Sequence, residues 1–143
     1  MLRALTVRLA MSALGLPYIW GGSTLKEGFD CSGFIVWLFQ VVGILRSGDW
    51  SAQNLRDHFH TFVDTINVDP PPGDLAFYGS DLTHVDHVML VLDAIHVIGA
   101  SGGNRECKTR ANAEHFGASV HTRNAHYRKD LLGFAHVQYP DET

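Results

Sequence analysis

A thiol and an imidazole together can perform acyl transfer, and this sequence offers one of each in a suggestive setting. Cys31 follows Asp30, a good helix N-cap, so Cys31 and Ser32 are predicted in the first turn of a helix backed by an apolar run from Phe34 to Ile44. The unpaired amides and partial positive charge of that terminus predict a lowered thiol pKa and a usable thiolate. The plainer reading of Cys31 is a structural cysteine beside an apolar run. His87 opens the strongest strand signal in the chain, His87 to Leu92. An imidazole there could accept the thiol proton, then protonate the leaving amine once the thiolate has attacked a carbonyl. The plainer reading of His87 is a satisfied sheet histidine.

The elements that must hold these groups can be read on either side of them. The helix behind Cys31 is apolar nearly all round apart from Gln40, which predicts burial, and Gly43 stands where a C-terminal cap is expected. Met1 to Leu14 carries Leu2, Leu5, Leu9 and Ala13 at helical spacing, ended by Gly15 and Pro17. A short helix is predicted over Gln53 to Phe62. The prolines at 70, 71 and 72 predict a rigid turn from Asp69 to Asp74. Leu75 to Tyr78 reads as a strand, Gly79 to Thr83 as a turn, and Asp93-Ala94 as a two-residue reversal from the His87 strand into Ile95 to Ile98. The stretch from Ser101 to Lys129 is Gly-rich, then charged, and gives no clear element.

The remaining histidines and the second cysteine carry weaker signals. His84 is read as a loop residue that could line a groove near His87. His58 and His60 are two apart and would not share a helix face, and His115, His121 and His126 lack tight zinc-motif spacing, so no metal site is expected. Cys107 has no apolar helix behind it and is read as a loop thiol, neither catalytic nor bonded to Cys31.

At 143 residues, 45% hydrophobic and 18% charged, the chain is expected to be one globular domain spanning 1–143. A net charge of -4 without a basic stripe argues against nucleic acid as a partner. Arg8 interrupts the apolar N-terminus, which reads as a helix and not a secretory leader, and no run is long enough to span a bilayer. Oligomeric state is not legible.

Two blocks carry a family resemblance. Pro17-Tyr18-Ile19-Trp20-Gly21-Gly22 followed by Phe29-Asp30-Cys31-Ser32-Gly33-Phe34 closely resembles the start of the NlpC family of papain-like cell-wall cysteine peptidases. Arg46, Ser47, Ser51 and Gln53 look like its connecting segment, Pro72 to Tyr78 like its Gly-Asp-Leu strand entry, and Asp86-His87-Val88-Met89 like its histidine strand. The resemblance implies an α+β papain-like fold, with N-terminal helices packed on an antiparallel sheet. It implies a peptidoglycan endopeptidase cleaving an amide of the stem peptide, commonly next to D-glutamate, with Cys31 as nucleophile and His87 as base and acid. The Cys31 amide and the Tyr18 hydroxyl would hold the oxyanion. Asp30 and Ser32 would grip the free amine of a short stem peptide. No metal or organic cofactor is implied. The site of action would be the bacterial cell wall, reached by phage delivery or from the cytoplasm on release.

One position departs from that pattern. The family usually carries a polar orienting residue where this chain has Gly99, in Val97-Ile98-Gly99-Ala100-Ser101. His96 is a tempting substitute, but pairing with Val91 would leave it about 13 Å along the strand from His87 at about 3.3 Å per residue. Asn104, a backbone carbonyl or water are the other candidates, and a weak enzyme is a further outcome. Two other functions stay open: a Cys–His amidase or acyltransferase on another amide or ester, and a non-catalytic wall-binding or phage-tail structural domain.

Overall fold

The computed structural model of the chain describes residues 1–60, 62–63 and 69–142. Helix α1 (Leu2–Ser12) opens the chain. The hairpin β1 (Ser23–Thr24) and β2 (Gly28–Phe29) leads directly into α2 (Cys31–Val41). Then come α3 (Ala52–His58), β3 (Phe62–Val63), β4 (Leu75–Asp81), β5 (His84–Val91), β6 (His96–Ser101), α4 (Arg110–Phe116), β7 (Ser119–Asn124) and β8 (Leu131–Ala135). The long strands form a six-stranded antiparallel sheet in the order β3-β8-β4-β5-β6-β7. Helices on an antiparallel sheet give the expected α+β papain-like architecture.

The sheet is covered on both faces. On one face Phe77, Val88, Leu90 and Ile98 pack with Phe34, Ile35 and Leu38 of α2 and Ala10 of α1. On the other, Ala76, Tyr78, Met89, Val91 and Val97 pack beneath Ala125, Tyr127 and Leu131, from the chain joining β7 to β8 and the start of β8. Double coverage explains why β4 and β5 read as nearly continuous apolar runs. The inward face of α1 is Thr6, Ala10 and Ala13, while Leu5 is exposed, so the expected leucine stripe is turned partly to solvent. Small residues let α1 approach closely, and the Thr6 hydroxyl donates to the Leu2 carbonyl at 2.8 Å.

Several boundaries differ from expectation. The helix α3 starts at Ala52, capped by Ser51, and ends at His58, with Phe62 already in β3; residue 61, within the predicted helix, lies outside the described residues. Strand β4 runs through Gly79 to Asp81 with register shifts there, so the turn to β5 is confined to Leu82 and Thr83. The β5–β6 reversal is one residue longer than predicted, because Val91 pairs with Val97 and the Leu92 amide donates to the His96 carbonyl. Helix α4 and strand β7 fall in the stretch that gave no clear signal. α4 is capped by Thr109 and ended by Gly117 at φ 64°, and β7 alternates buried and open positions only weakly.

The two ends of the chain meet at a buried carboxylate. Asp74, 1% exposed, accepts from the Arg3 guanidinium at 2.8 Å and from the Val137 amide at 3.2 Å, and His136 Nδ1 lies 3.2 Å from its other oxygen.

Candidate active site

The position of Cys31 follows from a close-packed turn. Asp30 caps α2 by accepting from the Gly33 amide at 2.7 Å, and its other oxygen accepts from the Gly21 amide at 3.1 Å. The Asp30 amide returns a bond to the Gly22 carbonyl at 3.0 Å. The carboxylate thus ties the Gly21–Gly22 turn to the helix start and is a scaffold as well as a groove residue. As the first helical residue, Cys31 has an amide with no intrahelical acceptor.

The sheet opens where Cys31 arrives. The β5–β6 ladder consists of Leu90↔Ile98 and Val91↔Val97, whereas β6 and β7 stay paired over six positions. Continued in the same register, Val88 would face Ala100 and Asp86 would face Gly102. Instead the Cys31 sulfur occupies that edge of β5. Its S–H points to the Asp86 carbonyl at 3.9 Å, and the Val88 amide also acts on it. His87, between those two residues, lies on the side of Tyr78 and Tyr127, with ring centroids 5.4 and 6.3 Å away. Cys31 and His87 both line the cavity at the split, about 610 Å³, together with Tyr18, Asp86 and Tyr127.

The electrostatics correct one expectation. Burial, followed by the negative charge of Asp30, pushes the Cys31 thiol up to about 12, outweighing the Val88 and Ser32 amides. The helix terminus alone therefore does not ionise the sulfur, because desolvation of the thiolate is the larger effect. Burial, with Arg128 next, pushes His87 down to about 3. Burial therefore disfavours charge on both groups that line this cavity.

The groove continues past Cys31 into a second cavity of about 590 Å³ lined by Asp30, Ser32, Asp49 and Asp86, with no Lys or Arg in its walls. The cavity at the split has Arg105, Arg123 and Arg128 in its walls. Arg128 is tied to Asp86 at 2.9 Å and to Asp130 at 2.8 Å. One side of the thiol is therefore acidic and the other cationic. Tyr18 lines both cavities, and burial pushes its phenol up.

The residues that the sequence offers as partners for the His87 ring lie elsewhere in the structure. His96 sits half-exposed at the far end of β6 against Asp93, with Nδ1 at 3.0 Å from its carboxylate. Asn104 lines the groove, but its Oδ1 accepts from the Glu106 amide at 2.9 Å, closing a local turn. Neither touches His87. The side-chain space at Gly99 is filled from β5: a Cβ there would meet the Met89 sulfur at 2.6 Å. The His87 ring instead bonds through Nε2 to the Tyr127 hydroxyl at 2.8 Å. Tyr127 lies after β7 in a stretch without periodic pattern, so no local signal could have pointed to it.

Other predicted residues fall as follows. Ser32 lies beside Asp30, its hydroxyl at 3.4 Å from Oδ1. His84 starts β5 at the surface, bonded to Asp81 at 2.9 Å, and lies outside the groove. Cys107 lies in a loop, as expected, but is fully buried, and its S–H donates to the Tyr18 carbonyl at 3.1 Å. Both cysteines are free, and among the described residues no His/Cys/Asp/Glu cluster could hold a metal. Gln53 bolts α3 to the β4–β5 hairpin, donating to the Leu82 carbonyl at 3.0 Å and accepting from the Val85 amide at 2.8 Å.

Known proteins share this arrangement of elements. The chain is 32% identical over 108 residues to the peptidoglycan endopeptidase RipB of Mycobacterium tuberculosis, covering 67% of this chain and 42% of that protein. It is 35% identical over 81 residues to the bifunctional muramidase/DL-endopeptidase CwlT of Bacillus subtilis, covering 53% of this chain and 23% of that protein. It therefore spans less than half the length of either relative. The crystal structure of the NlpC/p60 domain of the peptidoglycan hydrolase SagA superposes with a TM-score of 0.68 at 26% identity, covering 95% of this chain and 97% of that one. The NlpC/P60 family profile matches residues 15–126, more than half of the chain, and the protein belongs to the NlpC/P60 family.

Proposed function

We propose that the chain is a cysteine endopeptidase of peptidoglycan, cleaving an amide of the stem peptide next to D-glutamate at the bacterial cell wall, with residues 1–143 acting as one catalytic domain. The observation that carries this reading is that Cys31, at a helix start, and His87, on the adjoining strand, line one groove where the sheet splits. The named activities of RipB and CwlT favour the same substrate class.

In this reading His87 takes the Cys31 proton as the sulfur attacks the carbonyl carbon. Charge that develops on the carbonyl oxygen is met by the free Cys31 amide and the Tyr18 hydroxyl. Collapse of the tetrahedral intermediate breaks the C–N bond, and the imidazolium gives its proton to the departing amine. Water, deprotonated by His87, then hydrolyses the thioester. The acidic cavity of Asp30, Asp49 and Asp86 suits the free amine of a short stem peptide, with Ser32 beside it. No cofactor enters these steps.

The test is hydrolysis of a synthetic stem peptide followed by separation of the fragments. Cys31→Ala should abolish release while leaving Tm close to wild type, and unchanged turnover in that variant rejects the reading. An acyl group on Cys31 from a different amide or ester would move the protein to the amidases or acyltransferases. A folded wild-type chain that binds wall peptides and cleaves none would be a binding module.

A further inference from the structure

The two cavities that meet at Cys31 differ in charge, and the position of His87 says which half of a substrate each one takes. Among the described residues His87 lines only the cavity at the split, whereas Asp30 and Ser32 line only the acidic cavity. In the reading of Cys31 and His87 as a nucleophile–base pair, on which this inference rests, the imidazole must reach the departing amine. The leaving half of the peptide therefore lies in the cavity at the split, with the acyl half and its free amine on the acidic side. The cavity at the split carries surplus positive charge. Its walls hold Arg105, Arg123 and Arg128 against one carboxylate, Asp86, and Arg128 is already tied to Asp86 at 2.9 Å.

Arg123 is half-buried on β7, opposite Val97. Its Nε–H donates at 3.2 Å to the hydroxyl of Ser101, four positions further along β6, which draws the guanidinium along the sheet toward the split. The guanidinium also lies over the Tyr127 ring, 4.7 Å from its centroid, so two contacts hold it in place. Among the described residues its terminal N–H groups make no hydrogen bond, and Arg123 joins no ion pair, unlike Arg3 and Arg128. Such a fork matches the two oxygens of a carboxylate. Arg105 stands exposed at the rim, 5.9 Å from the Trp20 ring centroid, and among the described residues it too joins no ion pair. We propose that Arg123, with Arg105 at the rim, forms a carboxylate subsite for the leaving half of the peptide and is a specificity-determining residue. The protein then favours stem peptides whose leaving residue carries a free carboxylate, at its C-terminus or at the end of its side chain. An arginine that only clamped Tyr127 would serve charged and uncharged peptides alike.

The test starts from a synthetic stem peptide whose leaving residue has both carboxylates free. Matched peptides convert the C-terminal one, the side-chain one, both, or only the carboxylate of the acyl residue to a carboxamide. Binding is measured by calorimetry on the intact chain carrying Cys31→Ala, which needs no turnover, and kcat/KM on the wild type. Converting both leaving carboxylates should weaken binding by about tenfold or more, the scale of a charge-assisted hydrogen bond, and the single conversions show which of the two is gripped. Adding Arg123→Gln should bring that ratio close to one. Arg123→Lys, which keeps the charge and loses the fork, should retain part of it, and it decides the matter if Arg123→Gln fails to fold. A ratio between peptides cancels any displacement of Tyr127 or His87 that affects them all. Equal binding of the parent and doubly converted peptides overturns the inference. So does a preference that survives Arg123→Gln at full size, or affinity that falls only when the acyl residue is converted. If the wild type cleaves none of the peptides while the binding preference holds, the peptidase reading fails and the carboxylate subsite stands.

Discussion

Gly33 of α2 lies so close to Gly22 that a methyl group on Gly33 would sit 2.0 Å from the Gly22 carbonyl oxygen. The obstacle is backbone on one side and the helix on the other, so neither can yield cheaply. This contact sets how deeply the Cys31 end of the helix enters the split in the sheet. Gly33→Ala should cost about 2 kcal/mol or more and lower Tm by several degrees in thermal unfolding. An unchanged Tm would show that the helix start is not held by this contact.

The Arg3–Asp74 pair should be worth far more than the surface ion pairs. Asp74 is 1% exposed and the Arg3 side chain 16%, so removing the guanidinium takes away the arginine cation facing a buried carboxylate and leaves it the Val137 amide and His136. Arg3→Ala is expected to lose about 3–5 kcal/mol in urea unfolding. His96→Ala, which removes an exposed partner of Asp93, should leave the midpoint where it was. Equal effects from the two substitutions would contradict this account of the core.

The buried thiol and imidazole give the chain a defined window of maximal stability. His87 titrates near 3 in the folded state and near ~6.5 unfolded, so between those values the unfolded chain binds the extra proton. Stability therefore falls as pH drops from about 6.5 toward 3. Cys31 titrates near 12 folded and near ~8.5 unfolded, so stability also falls as pH rises above about 8.5. Cys31→Ala should flatten the alkaline limb of a stability–pH curve and leave the acid limb in place. An alkaline limb as steep as wild type would show that the sulfur is not desolvated in the native state.

Gly103 is the corresponding control on Tyr18. A Cβ at Gly103 would meet the Tyr18 ring at 2.2 Å, and Gly103 lies in the partly exposed turn after β6. Gly103→Ala should push the phenol away from the thiol and reduce kcat on a stem peptide by roughly tenfold or more, the range for a lost oxyanion donor. Full activity in this variant would remove Tyr18 from the oxyanion site.

Much of this arrangement could be read from residue order, for identifiable reasons. Asp30 before an apolar helix determines a cap and a first-turn cysteine, both local features, and the prolines at 70 to 72 determine a local turn. The strands β4 and β5 show because burial on both faces makes them nearly continuous apolar runs. What local pattern cannot carry is desolvation and long-range pairing. The thiol was expected to be ionised because a helix start favours charge, yet burial against β5 wins. Residue order points to His96 or Asn104 as a partner for His87, yet neither touches its ring. Met89 of β5 fills the space a side chain at Gly99 would take, and Tyr127 reaches His87 from the segment joining β7 to β8. That contact joins residues 40 apart and has no periodic signature. α4 and β7 were missed because both are short and polar, and tertiary contacts decide them.

The most direct test of the central claim is mass spectrometry of the protein acid-quenched during turnover of a stem peptide containing D-glutamate. The account predicts an adduct on Cys31 equal in mass to the acyl half of the substrate, present in wild type and absent from Cys31→Ala. Steady release of fragments with no adduct on Cys31, or with undiminished release by Cys31→Ala, would contradict it.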